Sequence, residues 1–275
     1  MERKRGPERM VLRAVVFDLD ETILVEYASV ERAFRRAIAG VLRMSTGFAD
    51  GVEERLYHAI RRISSERWLG SPAREYCLSV GISSWEALRA RFVGHHPALG
   101  ELRAWAPEFQ VGSWAAALGE AGVLRGDLAS PLLVAFRDEM ERPPTLYPYA
   151  LDVLRLTSAR LPLGLLTNGL AELQGRKIDA AGIGDRFHSV VISGSLGVGK
   201  PAPEPFLRVL EGLGVDPHEA VMVGNSLRSD IAGAQNVGIS TVWVRRPGAE
   251  EYDGVTPDVV IPDLSGLPEA LDSLS

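Results

Sequence analysis

The chain has 275 residues, of which 46% are hydrophobic and 24% are charged. This composition is typical of a globular protein with one large or two modest domains, and it excludes disorder throughout. The formal net charge of −6 excludes the strongly basic surface of a nucleic-acid-binding protein. No apolar run approaches the ~20 residues of a membrane-spanning helix. We therefore expect a cytoplasmic protein with neither nucleic acid nor membrane as a partner.

The first predicted element is a buried strand. Ala14–Phe17 are continuously apolar and rich in valine, which favours a strand buried on both faces, as in a parallel sheet. An acidic cluster follows it directly, Asp18-Leu19-Asp20-Glu21-Thr22. Residues 1–10 are charged and lack the apolar segment of a signal peptide, so we predict a flexible tail there.

The segment 26–147 has the pattern of helices. Apolar residues recur at helical spacing from Val30 to Leu42. Ser83 and Glu86 have the spacing of a capping box, and Ser130-Pro131 predicts the N-cap and first residue of a further helix. Because no stretch indicates a strand, we predict an inserted all-helical domain over residues 26–147.

The remainder of the chain alternates between short apolar strands and helices of about ten residues. This pattern predicts right-handed βαβ units and a parallel sheet. The predicted strands cover residues 163–166, 189–192, 220–223, 241–244 and 259–261. We therefore predict an α/β fold with a Rossmann-like core, helices on both faces of the sheet, formed by residues 11–25 and 148–275.

Polar side chains that could bind a ligand or take part in catalysis follow several of these strands. Ligands of open parallel sheets bind beyond the carboxyl ends of the strands, so these residues are expected to lie together. Any one of them alone is more often a turn former or a helix cap. The set comprises Asp18 and Asp20, Thr167 and Asn168, Lys200, and Asn225 and Asp230.

The two aspartates that follow the first strand suggest phosphoryl chemistry. Asp18 and Asp20 repel each other unless a cation such as Mg2+ lies between them or one carboxyl is protonated. A carboxylate beside a metal can attack phosphorus to form an aspartyl phosphate. A second carboxyl can protonate the leaving oxygen and later deprotonate water. Thr22, Thr167, Asn168 and Lys200 offer donors to phosphate oxygens.

These residues resemble the motifs of the haloacid dehalogenase-like (HAD) hydrolase superfamily. Asp18–Thr22 resembles its DxDx(T/V) motif, Leu165–Gly169 its second motif, Gly199–Pro201 its third, and Val223–Asp230 its fourth, usually GDxxxxD. The resemblance covers Val11 to about Val244, and the helical insert is similar to the family's C1 cap. The stretches after Thr167 and Gly199 most resemble N-acylneuraminate-9-phosphatases and pyrimidine 5′-nucleotidases.

The resemblance implies a role for each matching residue. It implies Asp18 as the nucleophile, Asp20 as the general acid and base, and a phosphate site of Thr22, Thr167, Asn168 and Lys200. It implies Mg2+ held by Asp18, Asp20, Asn225 and Asp230, with Asp20 contributing its backbone carbonyl. The expected enzyme is a Mg-dependent phosphatase of small phosphorylated metabolites, such as a sugar phosphate or a nucleotide, acting as a monomer or homodimer.

Asn225 departs from the family pattern, which usually has aspartate there. An asparagine carbonyl can ligate a hard cation without contributing a formal charge, so we expect weaker metal binding with activity retained. Alternatively, Asn225 only caps the helix predicted near Leu227, or the altered site belongs to a weakened, ligand-binding homologue. A 2-haloacid dehalogenase is a further alternative, but that chemistry needs neither Asp20 nor a metal.

The segment from Gly194 to Lys200 also matches the GxxxxGK pattern of phosphate-binding loops. That motif continues with serine or threonine, whose hydroxyl binds Mg2+. Pro201 offers neither a hydroxyl nor a backbone N–H, so the pattern does not indicate a nucleotide triphosphatase.

Overall fold

A computed structural model describes residues 11–44 and 47–275 of the chain. The tail predicted for residues 1–10 lies outside the described residues. The strands are β1 Ala14–Phe17, β2 Leu163–Thr167, β3 Ser189–Ile192, β4 Ala220–Gly224, β5 Ser240–Val244 and β6 Val259–Ile261. The helices are α1 Tyr27–Arg43, α2 Val52–Leu69, α3 Arg74–Val80, α4 Ser84–Arg89, α5 Pro97–Glu120, α6 Ala129–Met140, α7 Ala150–Ser158, α8 Ala171–Ala181, α9 Ser193–Leu196, α10 Pro203–Leu213, α11 Ala232–Asn236 and α12 Leu267–Leu274.

The six strands form one parallel sheet in the order β3-β2-β1-β4-β5-β6. Strand β1 lies at the centre, where Phe17 is in register with Leu165 of β2 and Val223 of β4. All residues of β1, β2 and β4 are buried, as expected for strands covered on both faces. This strand order is that of a doubly wound Rossmann-type sheet and confirms the predicted fold class.

The contacts between residues divide the described chain into two units. The core unit contains the sheet and comprises the residues up to Val25 together with Leu146–Thr167 and Gly182–Ser275. The helical unit comprises Glu26–Thr145 and Asn168–Ala181. The sequence-based bounds differ from this division mainly at residues 168–181, which the sequence assigns to the core.

Helix α8 belongs to the helical unit because its side chains pack there. Leu173, together with Leu170 just before the helix begins, lies in the apolar cluster of that unit. The Glu172 carboxylate accepts hydrogen bonds from the backbone N–H groups of Arg91 and Phe92 at 2.8 and 2.7 Å. Sequence alone treats α8 as a crossover helix, since it connects strands β2 and β3, and the alternating pattern does not reveal its packing partner.

The helical unit contains helices α1 to α6 and α8, and no strand is present among its described residues. The capping box predicted for Ser83 and Glu86 is present at the start of α4. The predicted start of α6 at Ser130 is wrong, because a 3-10 turn over Gly126–Leu128 leads directly into a helix that begins at Ala129. Pro131 is tolerated in its first turn, where backbone N–H groups have no helical partner.

In the core unit, residues 23–24, which follow β1, are hydrogen-bonded to residues 146–147, which precede α7. Leu24 forms an isolated antiparallel bridge with Leu146, and the Tyr147 N–H donates to the Ile23 carbonyl at 2.9 Å. These bonds fix the loop that follows β1. Across residues 11–44 and 47–275, every helix falls short of the length or apolarity needed to cross a bilayer.

Candidate active site

The loop after β1 folds back so that Thr22 contacts Asp18. Leu19 accepts backbone hydrogen bonds from Ile23 and Leu24, and Glu21 adopts a left-handed conformation with φ of 60°. In this tight turn the Thr22 hydroxyl donates to Asp18 Oδ2 at 2.9 Å. Asp18 is buried at the carboxyl end of the sheet, where its N–H donates to the Val223 carbonyl of β4.

Lys200 is the central cation of the site. Its Nζ lies 2.6 Å from Asp18 Oδ1 and 2.8 Å from Asp230 Oδ1, and it also donates to the Leu166 carbonyl at 2.7 Å. Its side chain is only 2% exposed, so both ion pairs are shielded from solvent. Burial by itself lowers the pKa of Lys200, but the charges of Asp18 and Asp230 outweigh it and raise that pKa. Lys200 therefore remains charged at neutral pH.

The segment after β4 positions Asp230. A Cβ atom at Gly224 would lie 2.5 Å from Asp230 Cγ, so only glycine allows this side chain to approach the end of the strand. Ser226 is the N-cap of a π-helical turn over Leu227–Ile231 and accepts from the Ser229 N–H at 3.1 Å. Asp230 Oδ2 in turn accepts from the Ser226 N–H at 2.9 Å.

Asn225 faces the Thr22 hydroxyl and does not cap the following turn. The Thr22 Oγ1 atom lies 3.3 Å from Asn225 Oδ1 and 2.9 Å from Asp18 Oδ2. The alternative that Asn225 is a helix cap is wrong, because Ser226 occupies that position. A hydroxyl has one hydrogen and can donate it to only one of these two oxygens at a time.

The charges of the site leave Asp18 poorly compensated. Burial raises the pKa of Asp18 to about 7, and the negative charges of Asp230 and Asp20 add to this shift. Lys200 opposes the shift, but its single charge is shared between Asp18 and Asp230. With all three aspartates ionised, the site carries a local excess of negative charge that a cation would relieve.

The other predicted site residues occupy three different positions. Asp20 is half-buried on the loop after β1, where its charge acts on Asp18. Thr167 is the buried last residue of β2 and follows Leu166, whose carbonyl binds Lys200. Asn168 belongs to the helical unit, where it lies against Gly81: a Cβ atom added at Gly81 would be 3.0 Å from the Cβ atom of Asn168.

The structure thus brings together five of the predicted residues within the core unit: Asp18, Thr22, Lys200, Asn225 and Asp230. In a comparison with known protein families, residues 12–238 match the haloacid dehalogenase-like hydrolase family. The chain belongs to the haloacid dehalogenase-like hydrolases.

Relatives of this HAD hydrolase match nearly its whole length. It is 37% identical over 258 residues to the phosphoserine phosphatase of Thermus thermophilus, covering 92% of this chain and 96% of the relative. It is 30% identical over 251 residues to the glyceraldehyde 3-phosphate phosphatase of Methanopyrus kandleri, covering 91% of each. Among solved structures, a HAD phosphatase from Thermococcus onnurineus has a TM-score of 0.56 and 26% identity, covering 94% of this chain and 98% of the other.

The oxygen atoms of the site are suitable ligands for the divalent metal that many HAD hydrolases use. Asp18 Oδ2 and Asn225 Oδ1 lie within hydrogen-bond distance of the same hydroxyl, and carboxylate and amide oxygens are hard donors of the kind that Mg2+ prefers. No group of three His, Cys, Asp or Glu side chains in the described parts of the chain is arranged as a metal site.

Three residues outside the sequence motifs support the loops of the site in this HAD hydrolase. Arg246 donates to the carbonyl oxygens of Glu21 and Thr22 at 3.1 and 2.9 Å. Its guanidinium lies over the ring of Tyr147, whose hydroxyl donates to Glu21 Oε2 at 2.5 Å.

The third supporting residue is Trp243 of β5, which donates from Nε1 to the Asn225 carbonyl at 2.8 Å. None of these three residues belongs to a motif that was recognised in the sequence. Arg246 was detectable in principle, because it follows the end of β5 at the same sheet edge as the motifs.

Proposed function

We propose that this HAD hydrolase is a phosphatase that hydrolyses small phosphate monoesters through an aspartyl-phosphate intermediate. The observation that most directly supports this proposal is the position of the Asp18 carboxylate. It is buried at the end of the central strand and contacts both Lys200 and Thr22. The phosphatase relatives that match over more than nine tenths of the chain support the same reaction. The half-buried carboxyl of Asp20, two residues further along, supplies the acid that a dehalogenase does not require.

In the first proposed step, an Asp18 oxygen attacks phosphorus and the bond to the leaving oxygen breaks. Asp20 donates a proton to that oxygen, so that an alcohol leaves. In the second step, Asp20 accepts a proton from water as the water attacks phosphorus. The bond between phosphorus and Asp18 then breaks, which releases inorganic phosphate and restores both aspartates. Thr167, Asn168, Thr22 and Lys200 are proposed to bind the phosphate oxygens.

Asp18, Asn225 and Asp230 are proposed to hold Mg2+ together with the backbone carbonyl of Asp20. When bound, Mg2+ would screen the phosphate charge from the carboxylates and polarise the phosphoryl group. The side-chain set contributes one formal charge fewer than a set with aspartate at position 225. We therefore propose that the metal is bound, but less tightly than in relatives with the usual motif.

We propose that the helical unit, residues 26–145 with 168–181, serves as the cap that selects small substrates. Its size is that of a small domain, and it interrupts the chain directly after the loop that carries Asp18 and Asp20. A cap that excludes water protects an aspartyl phosphate from premature side reactions. Sugar phosphates and nucleotides are the proposed substrate classes, together with phosphorylated amino acids.

The decisive experiment measures phosphate release from p-nitrophenyl phosphate by the purified protein, with Mg2+ and with EDTA. We expect turnover with Mg2+ and its loss with EDTA. Release of chloride from 2-chloropropionate in EDTA, without hydrolysis of the phosphate ester, would instead identify a dehalogenase. Absence of both reactions, with a folded protein, would favour a weakened ligand-binding homologue. A panel of phosphorylated metabolites then identifies the substrate class.

Asp20→Asn should slow turnover in a way that depends on the leaving group. The backbone carbonyl remains in place, but the side chain no longer transfers a proton, and such groups contribute typically ~10²–10⁴-fold. We expect the smaller loss for p-nitrophenyl phosphate, because p-nitrophenolate leaves without protonation, and the larger loss for an alkyl phosphate. Equal losses for both esters, measured as kcat/KM, would contradict the role of general acid.

Asn225→Asp should tighten Mg2+ binding. The substitution restores a formal negative charge beside the metal ligands while preserving the shape of the side chain, and Ser226 continues to cap the π-helical turn. Titration of activity against Mg2+ should show a lower half-saturating concentration. The rate at saturating Mg2+ can change in either direction, because the added charge also repels phosphate. An unchanged midpoint would place the metal site on Asp18 and Asp230 without Asn225.

A further inference from the structure

Arg246, two residues beyond the end of β5 in the core unit, binds two successive carbonyl oxygens of the loop after β1. Its Nε–H donates to the Glu21 carbonyl at 3.1 Å, and its Nη2–H donates to the Thr22 carbonyl at 2.9 Å. Thr22 is completely buried, so its carbonyl oxygen depends on a donor from the protein. Arginine stays protonated at any physiological pH, and hydrogen bonds from a charged donor are stronger than those between neutral groups. Arg246 is therefore a strong and permanent anchor for this loop.

The loop needs an anchor because its turn contains an unfavourable backbone conformation. Glu21 adopts φ of 60°, in the left-handed region that residues other than glycine occupy rarely. Its N–H donates to the Leu24 carbonyl at 2.7 Å, and Asp20 forms an isolated bridge with Leu24. Asp20, the proposed general acid, directly precedes the constrained residue, whose carbonyl Arg246 binds. Relaxation of Glu21 to a more common conformation would therefore move Asp20.

Tyr147 fixes the orientation of Arg246 and binds the same loop. The Arg246 guanidinium lies 3.5 Å from the centroid of the Tyr147 ring, within the range of a cation–π contact. The Tyr147 hydroxyl donates to Glu21 Oε2 at 2.5 Å, and its N–H donates to the Ile23 carbonyl at 2.9 Å. Burial and the hydrogen bond to Glu21 raise the pKa of Tyr147 to about 12, so the hydroxyl stays protonated. Together the two residues bind three successive carbonyls, from Glu21 to Ile23.

The contacts of Arg246 favour a role in positioning the loop over a direct role in binding phosphate. The Nε–H and one Nη2–H of a guanidinium are the parallel donors that bind two oxygens of a phosphate. In Arg246 these same two nitrogens donate to the carbonyls of Glu21 and Thr22. An effect of Arg246 on catalysis is therefore expected to act through the loop.

We propose that Arg246 is the positioning residue for proton transfer by Asp20, with Tyr147 fixing its orientation. The proposal rests on the phosphatase function proposed above. By binding the two carbonyls that follow Asp20, Arg246 keeps the Asp20 carboxyl where the leaving oxygen receives its proton. General acids must lie within hydrogen-bond distance of that oxygen, and a displacement of about 1 Å can reduce a rate about 10²-fold. Loss of Arg246 should therefore impair proton transfer more than phosphate binding or attack by Asp18.

The test measures kcat/KM of Arg246→Met and Arg246→Lys for two esters at saturating Mg2+. One is p-nitrophenyl phosphate, whose leaving group departs without a proton, and the other is the alkyl phosphate that the wild-type protein hydrolyses fastest. We expect Arg246→Met to lose on the order of 10- to 100-fold for the alkyl ester and much less for p-nitrophenyl phosphate. Arg246→Lys should lie between this variant and wild type, because lysine keeps the charge but not the planar pair of donors. Inhibition by inorganic phosphate should be unchanged in both variants.

A double-mutant cycle distinguishes positioning of Asp20 from a general loss of stability. In the Asp20→Asn background, Arg246→Met should slow hydrolysis of the alkyl ester much less than in the wild type, because the group that it positions is already absent. Arg245→Met is the matched control: it removes the neighbouring arginine, whose exposed ion pair is with Glu251, and it should preserve the ratio of the two rates. Tyr147→Phe keeps the ring against the guanidinium and should lose less than Tyr147→Leu. If Arg246→Met does not fold, Arg246→Lys and Tyr147→Leu provide the same comparison.

Amide hydrogen exchange of the ligand-free protein gives a second readout, which does not depend on turnover. The N–H groups of Ile23 and Leu24 both donate to the Leu19 carbonyl, so their protection reports on the turn that carries Asp20. Arg246→Met should accelerate exchange at these two amides more than in strand β1. Arg245→Met should leave it unchanged.

Several results would overturn the proposal. Equal losses for both esters, losses that add fully to those of Asp20→Asn, or unchanged exchange of the loop amides would each exclude positioning of Asp20 by Arg246. Weaker inhibition by inorganic phosphate would show that Arg246 binds phosphate directly. A wild-type protein that hydrolyses neither ester would instead reject the phosphatase function, and the role in proton transfer with it. The activity of the wild-type protein therefore separates failure of the function from failure of this inference.

Discussion

Replacing Asp18 by asparagine should abolish phosphatase turnover while leaving the protein folded. The amide is nearly isosteric with the carboxylate, but it is a poor nucleophile and a weaker ligand for Mg2+. Loss of the nucleophile in other hydrolases reduces kcat by several orders of magnitude, so we expect a loss of at least roughly 10⁴-fold. The measurement is phosphate release under single-turnover and steady-state conditions, with circular dichroism and thermal unfolding of the same preparations.

The structure explains why the fold should tolerate this change. Lys200 keeps its ion pair with Asp230 at 2.8 Å and its hydrogen bond to Leu166, and an amide oxygen at position 18 can still accept from it. Asp272→Asn is the matched control, because it removes an exposed aspartate of the same unit that pairs with Arg160. The control should retain full activity. Near-wild-type turnover by Asp18→Asn would contradict the covalent mechanism.

The residues of the sheet and much of the site were predictable from the sequence. Short apolar runs identified every strand to within one residue at either end, and β3 and β6 have the predicted bounds. Because the strands are parallel, residues that follow β1 and β4 necessarily meet at one edge, where Asp18 and Asp230 share Lys200. Residues that are far apart in the sequence can therefore be predicted to lie together when they follow parallel strands of the same sheet.

The features that were not predictable depend on contacts that no local pattern encodes. The spacing of the apolar residues in α8 predicts a helix, but it does not reveal that Leu173, and Leu170 just before the helix, pack among the helices of the helical unit. The support that Arg246 gives to the loop after β1 also requires the tertiary structure, because 224 residues separate it from Thr22.

The second large effect is expected for Lys200→Met, which removes the shared cation from two buried carboxylates. Breaking a buried ion pair by removing one partner destabilises a protein by about 3–5 kcal/mol, and here Asp18 and Asp230 would both lose their counter-charge. We expect a clear decrease in the unfolding temperature of the metal-free protein, and loss of activity because the phosphate also loses a cationic donor. Adding Mg2+ should restore part of the stability, since the ion can neutralise the same carboxylates.

The pH dependence of this loss follows from the protonation of Asp18. The pKa of this buried carboxyl is about 7 even beside Lys200, and removing the cation should raise it further. A group with a raised pKa in the folded state binds its proton more tightly there than in the unfolded chain. Its contribution therefore stabilises the protein at low pH and is lost as the pH rises from about 4 through the folded-state pKa. The difference in stability between Lys200→Met and wild type should accordingly be larger at pH 8 than at pH 5.

A second substitution, Asp230→Asn, separates this electrostatic explanation from a simple packing defect. In the Lys200→Met background it removes one of the two uncompensated charges, so it should recover part of the lost stability without recovering activity. In the wild-type background it removes a partner of Lys200 and should be destabilising, which gives a favourable coupling in a double-mutant cycle.

Lys177→Met is the matched control, because Lys177 forms a buried ion pair with Glu26 in the helical unit, with the two atoms 2.9 Å apart. That variant should also lose stability, but Asp230→Asn should not rescue it. If Asp230→Asn destabilised the Lys200→Met protein as much as the wild type, the two carboxylates would not share Lys200 as a counter-charge.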